Sequence, residues 1–391
     1  MVTGENNNKY YEMSWDGKSP NFTVKYGRVE STETVLSYPI NQWNKKYTEK
    51  VNKGYKDVTE FVTTEVVNSA EPAALGKITE NKVEEFMSLM KKYTDNLVSA
   101  TYSVKATSVT QAQVDTAQDY INDLLALNQK SKTFEVDANL LLVQLYTVIP
   151  RKMAKVQHHL LPQITFDKTM VQEQDNLDAM ASQVSMVTDD KADAKAKKKV
   201  KKEVKTILDV LGITMSESKI TQEIEYLTKQ VTNQKIAAVF QVNKPAEDAY
   251  FQKWLDTQKN KQTRILIHGT KCTSVIPILE IGLKIRPAGN FQFSGKVYGD
   301  GNYFSEVVNK SLNYTGYDKD KVLLVYEVHT GNPFIYDGWY KGNSFSLNYK
   351  ELQARGFDST YVKAGGGLLN SEIIAYKEQQ NRIKYIIWLK N

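Results

Sequence analysis

The sequence predicts an α+β multidomain chain: a small β-rich unit, an all-α helical bundle, and a C-terminal unit of mixed or antiparallel β-sheet. Three observations predict it. The 391 residues exceed one ordinary domain. The hydrophobic period changes twice, from alternation near the N-terminus to a helical repeat near Thr79, then to strand patterning after about Lys235. Few helical crossovers separate the later strands, which argues against a doubly wound parallel sheet. Boundaries fall at 1–65, 77–215 and 216–391, and no internal repeat is visible.

In the first unit, Tyr10, Glu12 and Ser14 alternate with Tyr11, Met13 and Trp15, and residues 21–29 form a second aromatic and β-branched run. Asp16-Gly17-Lys18-Ser19-Pro20 reads as the turn between them. A short helix is expected over 41–47, with Lys53-Gly54-Tyr55 closing the unit and 63–76 as a linker. Thr79 is the expected N-cap of a helix whose face carries Val83, Phe86, Met90, Tyr93 and Leu97. A second helix begins near Thr110 with Val114, Ala117, Ile121 and Leu124. A third, from about Val136, carries Leu140, Val143, Leu145 and Val148 until Pro150. The bundle is expected to run to about Val187, its stripes serving as core.

Residues 189–205 form an Ala/Lys tract whose seven lysines repel one another, from Lys195 to Lys205. A solvated helix or insert is the plain reading; a nucleic-acid contact or import signal is the alternative. Strands are expected at 237–242, 264–267, 322–328, 372–376 and 382–389.

The apolar fraction of 41% and charged fraction of 25% are ordinary for globular proteins. No apolar run approaches the ~20 residues of a membrane helix, and residues 1–11 have no secretory apolar core. The single cysteine, Cys272, excludes an internal disulfide and a multi-cysteine zinc site, so a reducing compartment is expected. The formal charge of +6 is nearly all lysine against acids, with only six arginines.

Chemistry concentrates in the last third. His268 follows the apolar run Ile265-Leu266-Ile267 and precedes Gly269, a place where backbone can approach a ligand. Gly299-Asp300-Gly301 lacks the third glycine and the βαβ setting of a dinucleotide fingerprint. Glu372, at the mouth of the apolar run Ile373-Ile374-Ala375-Tyr376, needs a partner or a task.

His268-Gly269-Thr270, Gly282-Leu283-Lys284-Ile285-Arg286-Pro287, the run from Gly301-Asn302-Tyr303-Phe304-Ser305 to Lys310-Ser311-Leu312-Asn313-Tyr314, and Ser371-Glu372-Ile373-Ile374-Ala375-Tyr376 together resemble the catalytic domain of poly(ADP-ribose) polymerases. Gln144-Leu145-Tyr146-Thr147-Val148-Ile149-Pro150-Arg151 resembles a segment of the helical regulatory domain that precedes it in that family. Asn8-Lys9-Tyr10-Tyr11, Tyr26-Gly27-Arg28-Val29 and Lys53-Gly54-Tyr55 resemble the Trp-Gly-Arg (WGR) domain of the DNA-dependent members, with Tyr26 replacing the signature tryptophan. The resemblance therefore implies a WGR domain over 1–65, a helical regulatory domain over 77–215 with the Lys-rich insert at 189–205, and an ADP-ribosyltransferase fold over 216–391.

It also implies roles. NAD+ is the substrate and no metal is expected. His268 would bond the ribose hydroxyls and the Gly269 backbone the nicotinamide amide, with Thr270 beside them. Ser311 would donate to the amide oxygen, Tyr303 and Tyr314 would sandwich the nicotinamide ring, and Lys310 would line the cleft. Lys284 would lie near the phosphates, and the loop 291–299 would flank the adenine. Glu372, the principal catalytic residue with His268 and Tyr303, would hold the 2′-hydroxyl and polarise the acceptor; a carboxylate there stabilises an electron-poor sugar and can take a proton. The loop with Gly365-Gly366-Gly367 would belong to the acceptor side.

Asn8, Lys9, Arg28 and Tyr55 would meet DNA at a strand break, Arg28 as a phosphate fork. The implied activity is DNA-break-stimulated synthesis of poly(ADP-ribose) on protein acceptors, the chain itself included, in the DNA damage response. A mono-ADP-ribosyltransferase and a catalytically weak DNA-binding scaffold are the alternatives. A monomer without membrane association is expected, nuclear in a eukaryote and otherwise cytoplasmic or host-intracellular. The bundle would restrain NAD+ entry until DNA binds, so that deleting 79–215 frees the enzyme.

Overall fold

The structure, a computed structural model, describes residues 9–28, 33–55, 57, 75–196, 204–285, 298–336, 349–365 and 368–390, and only the backbone of Arg28 and of 187–196. The chain forms two compact units, Met1–Pro72 with Asn96–Thr188 and Ala73–Asp95 with Asp189–Asn391. No described helix is long and apolar enough to cross a membrane.

In the first unit, β1 (Lys9–Ser14), β2 (Asn21–Arg28) and β3 (Thr34–Pro39) form an antiparallel meander. The expected turn is present: the Asp16 carboxylate accepts from the Lys18 and Ser19 amides at 2.8 and 2.7 Å, and Gly17 takes φ +76°. The following helix, α1 (Trp43–Asn52), starts later and runs longer than the 41–47 span suggested. Ile40–Gln42 forms a 3-10 turn before it, and Trp43 anchors the helix edge-on to buried Phe22 at 5.0 Å.

The helix α2 (Asn81–Thr101) begins one residue later than a Thr79 cap requires. Glu80 supplies the first helical carbonyl to the Glu84 amide at 2.9 Å, and the Glu84 side chain returns to the Ile78 amide at 2.8 Å. Thr110 caps α3 (Gln111–Ala126) through a reciprocal capping box with Gln113. In α4 (Phe134–Val148), the buried positions are Ala138, Leu142, Leu145, Tyr146, Thr147 and Val148. Leu140, expected in the core, is 60% exposed, because it lies two residues, about 200°, from both Ala138 and Leu142. The last bundle helix, α5 (Phe166–Ala196), continues past 187 into the Ala/Lys tract. Arg151 is buried against Glu173 at 2.5 Å and covers the Tyr102 ring at 4.1 Å. Loss of one partner would strand a buried charge.

The second unit holds two sheets. The larger contains β4 (Thr214–Glu217), β5 (Lys235–Asn243), β6 (Thr263–Thr270), β8 (Asp320–His329) and β12 (Asn381–Lys390) in the order β4-β5-β12-β8-β6, antiparallel throughout. The smaller contains β7 (Asn302–Phe304), β9 (Pro333–Tyr336), β10 (Ser359–Val362) and β11 (Glu372–Ala375) in the order β7-β11-β10-β9. Its β9–β10 pair is parallel, so this sheet is mixed as expected. The central strands β8 and β12 are mostly buried and carry apolar runs, Val322–Tyr326 and Tyr385–Leu389, because both faces are covered there. Part of the cover is the start of α2, where fully buried Phe86 stacks on Phe240 at 5.0 Å and on Trp388 at 5.7 Å.

Candidate active site

The two sheets meet at one bridge, and the candidate site is built around it. The edge strand β6 bridges the residue just after β7: Ile267 and Ser305 exchange two 2.9 Å bonds between their amides and carbonyls. His268 is therefore not at a strand end. The strand continues to Thr270, with His268 opposite Leu324 and Thr270 opposite Val322, because β8 extends alongside it.

Half-buried His268 points Nδ1 at the Tyr303 carbonyl, 3.0 Å away. A carbonyl only accepts, so Nδ1 carries the proton in the neutral ring and Nε2 keeps a lone pair. Burial depresses the imidazole pKa below its ordinary 6.5, with the Tyr303 carbonyl opposing in part. The ring is thus a neutral acceptor, the form that can receive a sugar hydroxyl.

Gly269 is required by packing. A Cβ there would overlap the Ser311 carbonyl oxygen, so only glycine lets α10 (Val308–Leu312) pack against β6. Buried Ser311 turns its hydroxyl to the Ile267 carbonyl at 3.4 Å, a long bond that a better acceptor can replace. The start of α10 is clamped by Gln230, whose amide donates to the Glu306 carbonyl at 3.0 Å and accepts from the Val308 amide at 3.1 Å.

The strand β11 pairs with β7 so that Ile374 faces Tyr303 and Ile373 faces Phe304. Ser305 donates its hydroxyl to the Ser371 carbonyl at 3.0 Å. This register sets Glu372, 6% exposed, at the start of β11. The partner its sequence setting demanded is Lys310, with Nζ 2.8 Å from the carboxylate. Burial pulls the Lys310 pKa down, but the bond to Glu372 and the charges of Glu372 and Tyr314 outweigh it, so the net shift is upward and the ammonium stays charged. Its Nζ also lies 5.9 Å from the Tyr314 ring centre. Tyr314 is 41% exposed, open to a stacking partner.

Tyr303 packs its ring against the cluster of Val362, Ile374 and Tyr376, and its phenol is anchored. The hydroxyl accepts from the Tyr298 amide at 2.9 Å and donates to the Gly299 carbonyl at 2.8 Å. Burial, and then nearby acids including Glu372, push its phenol far above the ordinary value, so it stays protonated.

The structure therefore brings together His268, Gly269, Tyr303, Lys310, Ser311, Tyr314 and Glu372. Thr270 is buried at the end of the same strand. Lys284 is held by Glu378: its ammonium pairs with the carboxylate at 2.9 Å, and the other carboxylate oxygen accepts from the Ile285 amide at 3.1 Å. The proposed adenine loop lies outside the described residues over 291–297, whereas Tyr298 and Gly299 are locked beneath Tyr303. Gly366 and Gly367 also lie outside them. Residue patterns missed Gln230 and Tyr298, since nothing in sequence marks an amide that caps a helix 78 positions away.

Of the DNA-contact candidates, Lys9 and Arg28 are direct cross-strand partners in β1 and β2. Tyr55 meets Tyr11 edge-on at 6.3 Å, and Lys50 covers the Tyr11 ring at 4.1 Å. Asn8 lies outside the described residues.

Comparison with known proteins identifies the family of the domain that carries these residues. The family model of the poly(ADP-ribose) polymerase catalytic domain matches residues 216–391. The poly(ADP-ribose) polymerase-like protein 100L of Invertebrate iridescent virus 6 is 57% identical over 169 residues, 43% of this chain and 93% of that protein. The uncharacterized protein 101L of the same virus is 42% identical over 184 residues, 47% of this chain and 75% of that protein. Poly(ADP-ribose) polymerase 1 of Gallus gallus is 24% identical over 276 residues, 63% of this chain but 27% of that protein. A neutral histidine acceptor, two tyrosine rings and a lysine-held glutamate in a domain so matched make the chain a member of the poly(ADP-ribose) polymerase family, an NAD+ ADP-ribosyltransferase.

Proposed function

We propose that the chain builds poly(ADP-ribose) on protein acceptors, itself included, and that DNA strand breaks raise its activity as part of a DNA damage response. The carrying observation is the Glu372–Lys310 pair at 2.8 Å beside Tyr303 and Tyr314. A carboxylate so placed can both steady a cation-like ribose and take a proton from an acceptor hydroxyl, which chain extension requires.

The reaction balances on these groups. The bond from ribose C1′ to the nicotinamide nitrogen breaks and its electron pair leaves with nicotinamide. An acceptor oxygen bonds C1′ and gives its proton to Glu372, while Lys310 keeps that carboxylate oriented. Incubation with labelled NAD+, with and without nicked DNA, tests the proposal. A ladder that strengthens with DNA is expected; a single labelled band favours mono-transfer, and no label favours a scaffold. Glu372→Gln should cut elongation by about 10²-fold or more, and more than NAD+ hydrolysis.

The DNA reading rests on the first unit. Facing Lys9 and Arg28 backbones, and the Lys50-Tyr11-Tyr55 cluster, supply cations and aromatic faces suited to a phosphate and a terminal base. Relatives named poly(ADP-ribose) polymerase 1 and 2 favour a polymer product.

A further inference from the structure

The geometry points to Tyr298 as a specificity-determining residue for the elongation acceptor: its phenol hydroxyl binds one hydroxyl of an incoming ribose diol while Glu372 engages the neighbouring one. The inference rests on the polymer-forming reading above.

Tyr298 occupies the Glu372 face of the smaller sheet. Glu372 is opposite Val362 in the β10–β11 register, and side chains of directly paired residues share a face. Ile374, two residues along β11, therefore shares that face too. Tyr298 packs in one cluster with Val362, Ile374 and Tyr376, and Tyr303 lies against it. The ring also meets Tyr336 at 5.5 Å, tilted by 57°.

Its main chain is fixed from two sides. The amide donates to the Tyr303 hydroxyl at 2.9 Å, and the carbonyl accepts from the Tyr376 hydroxyl at 2.8 Å. The Tyr376 hydroxyl is 2.8 Å from the Thr360 hydroxyl as well. By contrast, the Tyr298 hydroxyl makes no hydrogen bond among the described residues, and it is not among their fully enclosed, unsatisfied polar atoms. A phenol held this firmly, on a residue only 4% exposed and with no bond to its oxygen among the described residues, keeps a donor for a ligand. Burial and then the Glu372 charge raise its pKa, which keeps the proton on the oxygen.

The chemistry selects the acceptor class. Extension places a ribose hydroxyl against Glu372, and the adjacent hydroxyl of the same diol needs a second polar contact. Tyr298 supplies it, leaving C1′–O bond formation and proton transfer to Glu372 as described above. A first attachment to a protein side chain has no such second hydroxyl.

Tyr298→Phe retains the ring and both main-chain bonds, and it isolates the hydroxyl. Wild type and variant are given labelled NAD+ and nicked DNA, and chain length, first-unit attachment and nicotinamide release are followed. Extension relative to first attachment should fall about 3–10-fold, the worth of one hydrogen bond. Tyr376→Phe, which loosens the Tyr298 main chain, should instead depress all three readouts together. A wild-type chain-length distribution from Tyr298→Phe overturns the inference, as does an equal fall in every readout. If the wild type itself forms no ladder, the polymer reading fails and this inference with it.

Discussion

Gly269, His268 and Lys310 each hold the site by a different physical means. Gly269 is a matter of space: Gly269→Ala sets a methyl against the Ser311 backbone, which cannot swing aside as a flexible side chain would. A loss of about 1–3 kcal/mol in urea unfolding is expected, with a raised KM for NAD+ as α10 is pushed from β6. His268 is a matter of protonation. Its folded pKa lies below the ordinary 6.5, so the folded protein binds fewer protons than the unfolded chain between those two values. Its contribution to stability is present above pH 6.5 and lost as pH falls through the folded pKa. NAD+ consumption should therefore stay flat from pH 8 to 6.5 as far as His268 is concerned. A decline beginning above pH 6.5 that vanishes in His268→Gln would contradict this assignment. Lys310 is a matter of charge, and Lys310→Met leaves Glu372 without its counter-ion.

At the scale of elements, caps and clamps matter more than propensity. Thr110→Ala breaks the box at the start of α3 and should cost about 1 kcal/mol, read as a lower melting temperature. Gln230 acts on a helix of five residues, too short to hold itself in place. Gln230→Ala frees the Glu306 carbonyl and the Val308 amide, and the expected result is a several-fold higher KM for NAD+ with a smaller change in kcat. Equal falls in kcat and kcat/KM would count against a positioning role. Thr110 was legible because its partner sits three residues away. Gln230 was not, because long-range pairing depends on how α7 (Gln222–Thr228) and the turn before α10 meet in space.

For the whole molecule, the start of α2 belongs to the core of the catalytic unit. Phe86→Ala should cost about 3–5 kcal/mol, because Phe240 and Trp388 lose a fully buried ring. Tyr93 adds a bond to Asp320 at 3.2 Å, and Asp320 also receives the Trp388 indole at 2.9 Å. Deleting 79–215 would remove Phe86, Tyr93 and half of β4 together, so loss of folding would mask any release of activity. Leu142→Ala loosens the bundle alone, Leu142 being fully buried there. If the bundle restrains the enzyme, NAD+ consumption without DNA should rise in that variant.

Periodicity and turn chemistry are local, and they determined the meander of the N-terminal strands, the helical stretch that follows and the antiparallel or mixed, rather than doubly wound, character of the later strands. The motifs around His268, Tyr303, Ser311 and Glu372 determined the chemistry, since each rests on residue type within a few positions. Tertiary structure alone decided that β6 runs past His268, that the Ser311 carbonyl leaves no room for a Cβ at Gly269, and that Lys284 pairs with Glu378. It also decided that Lys310 is the partner of Glu372 and that Tyr298 stands on the same face. These depend on strand register and on contacts between segments tens of residues apart, and a linear pattern carries no term for either.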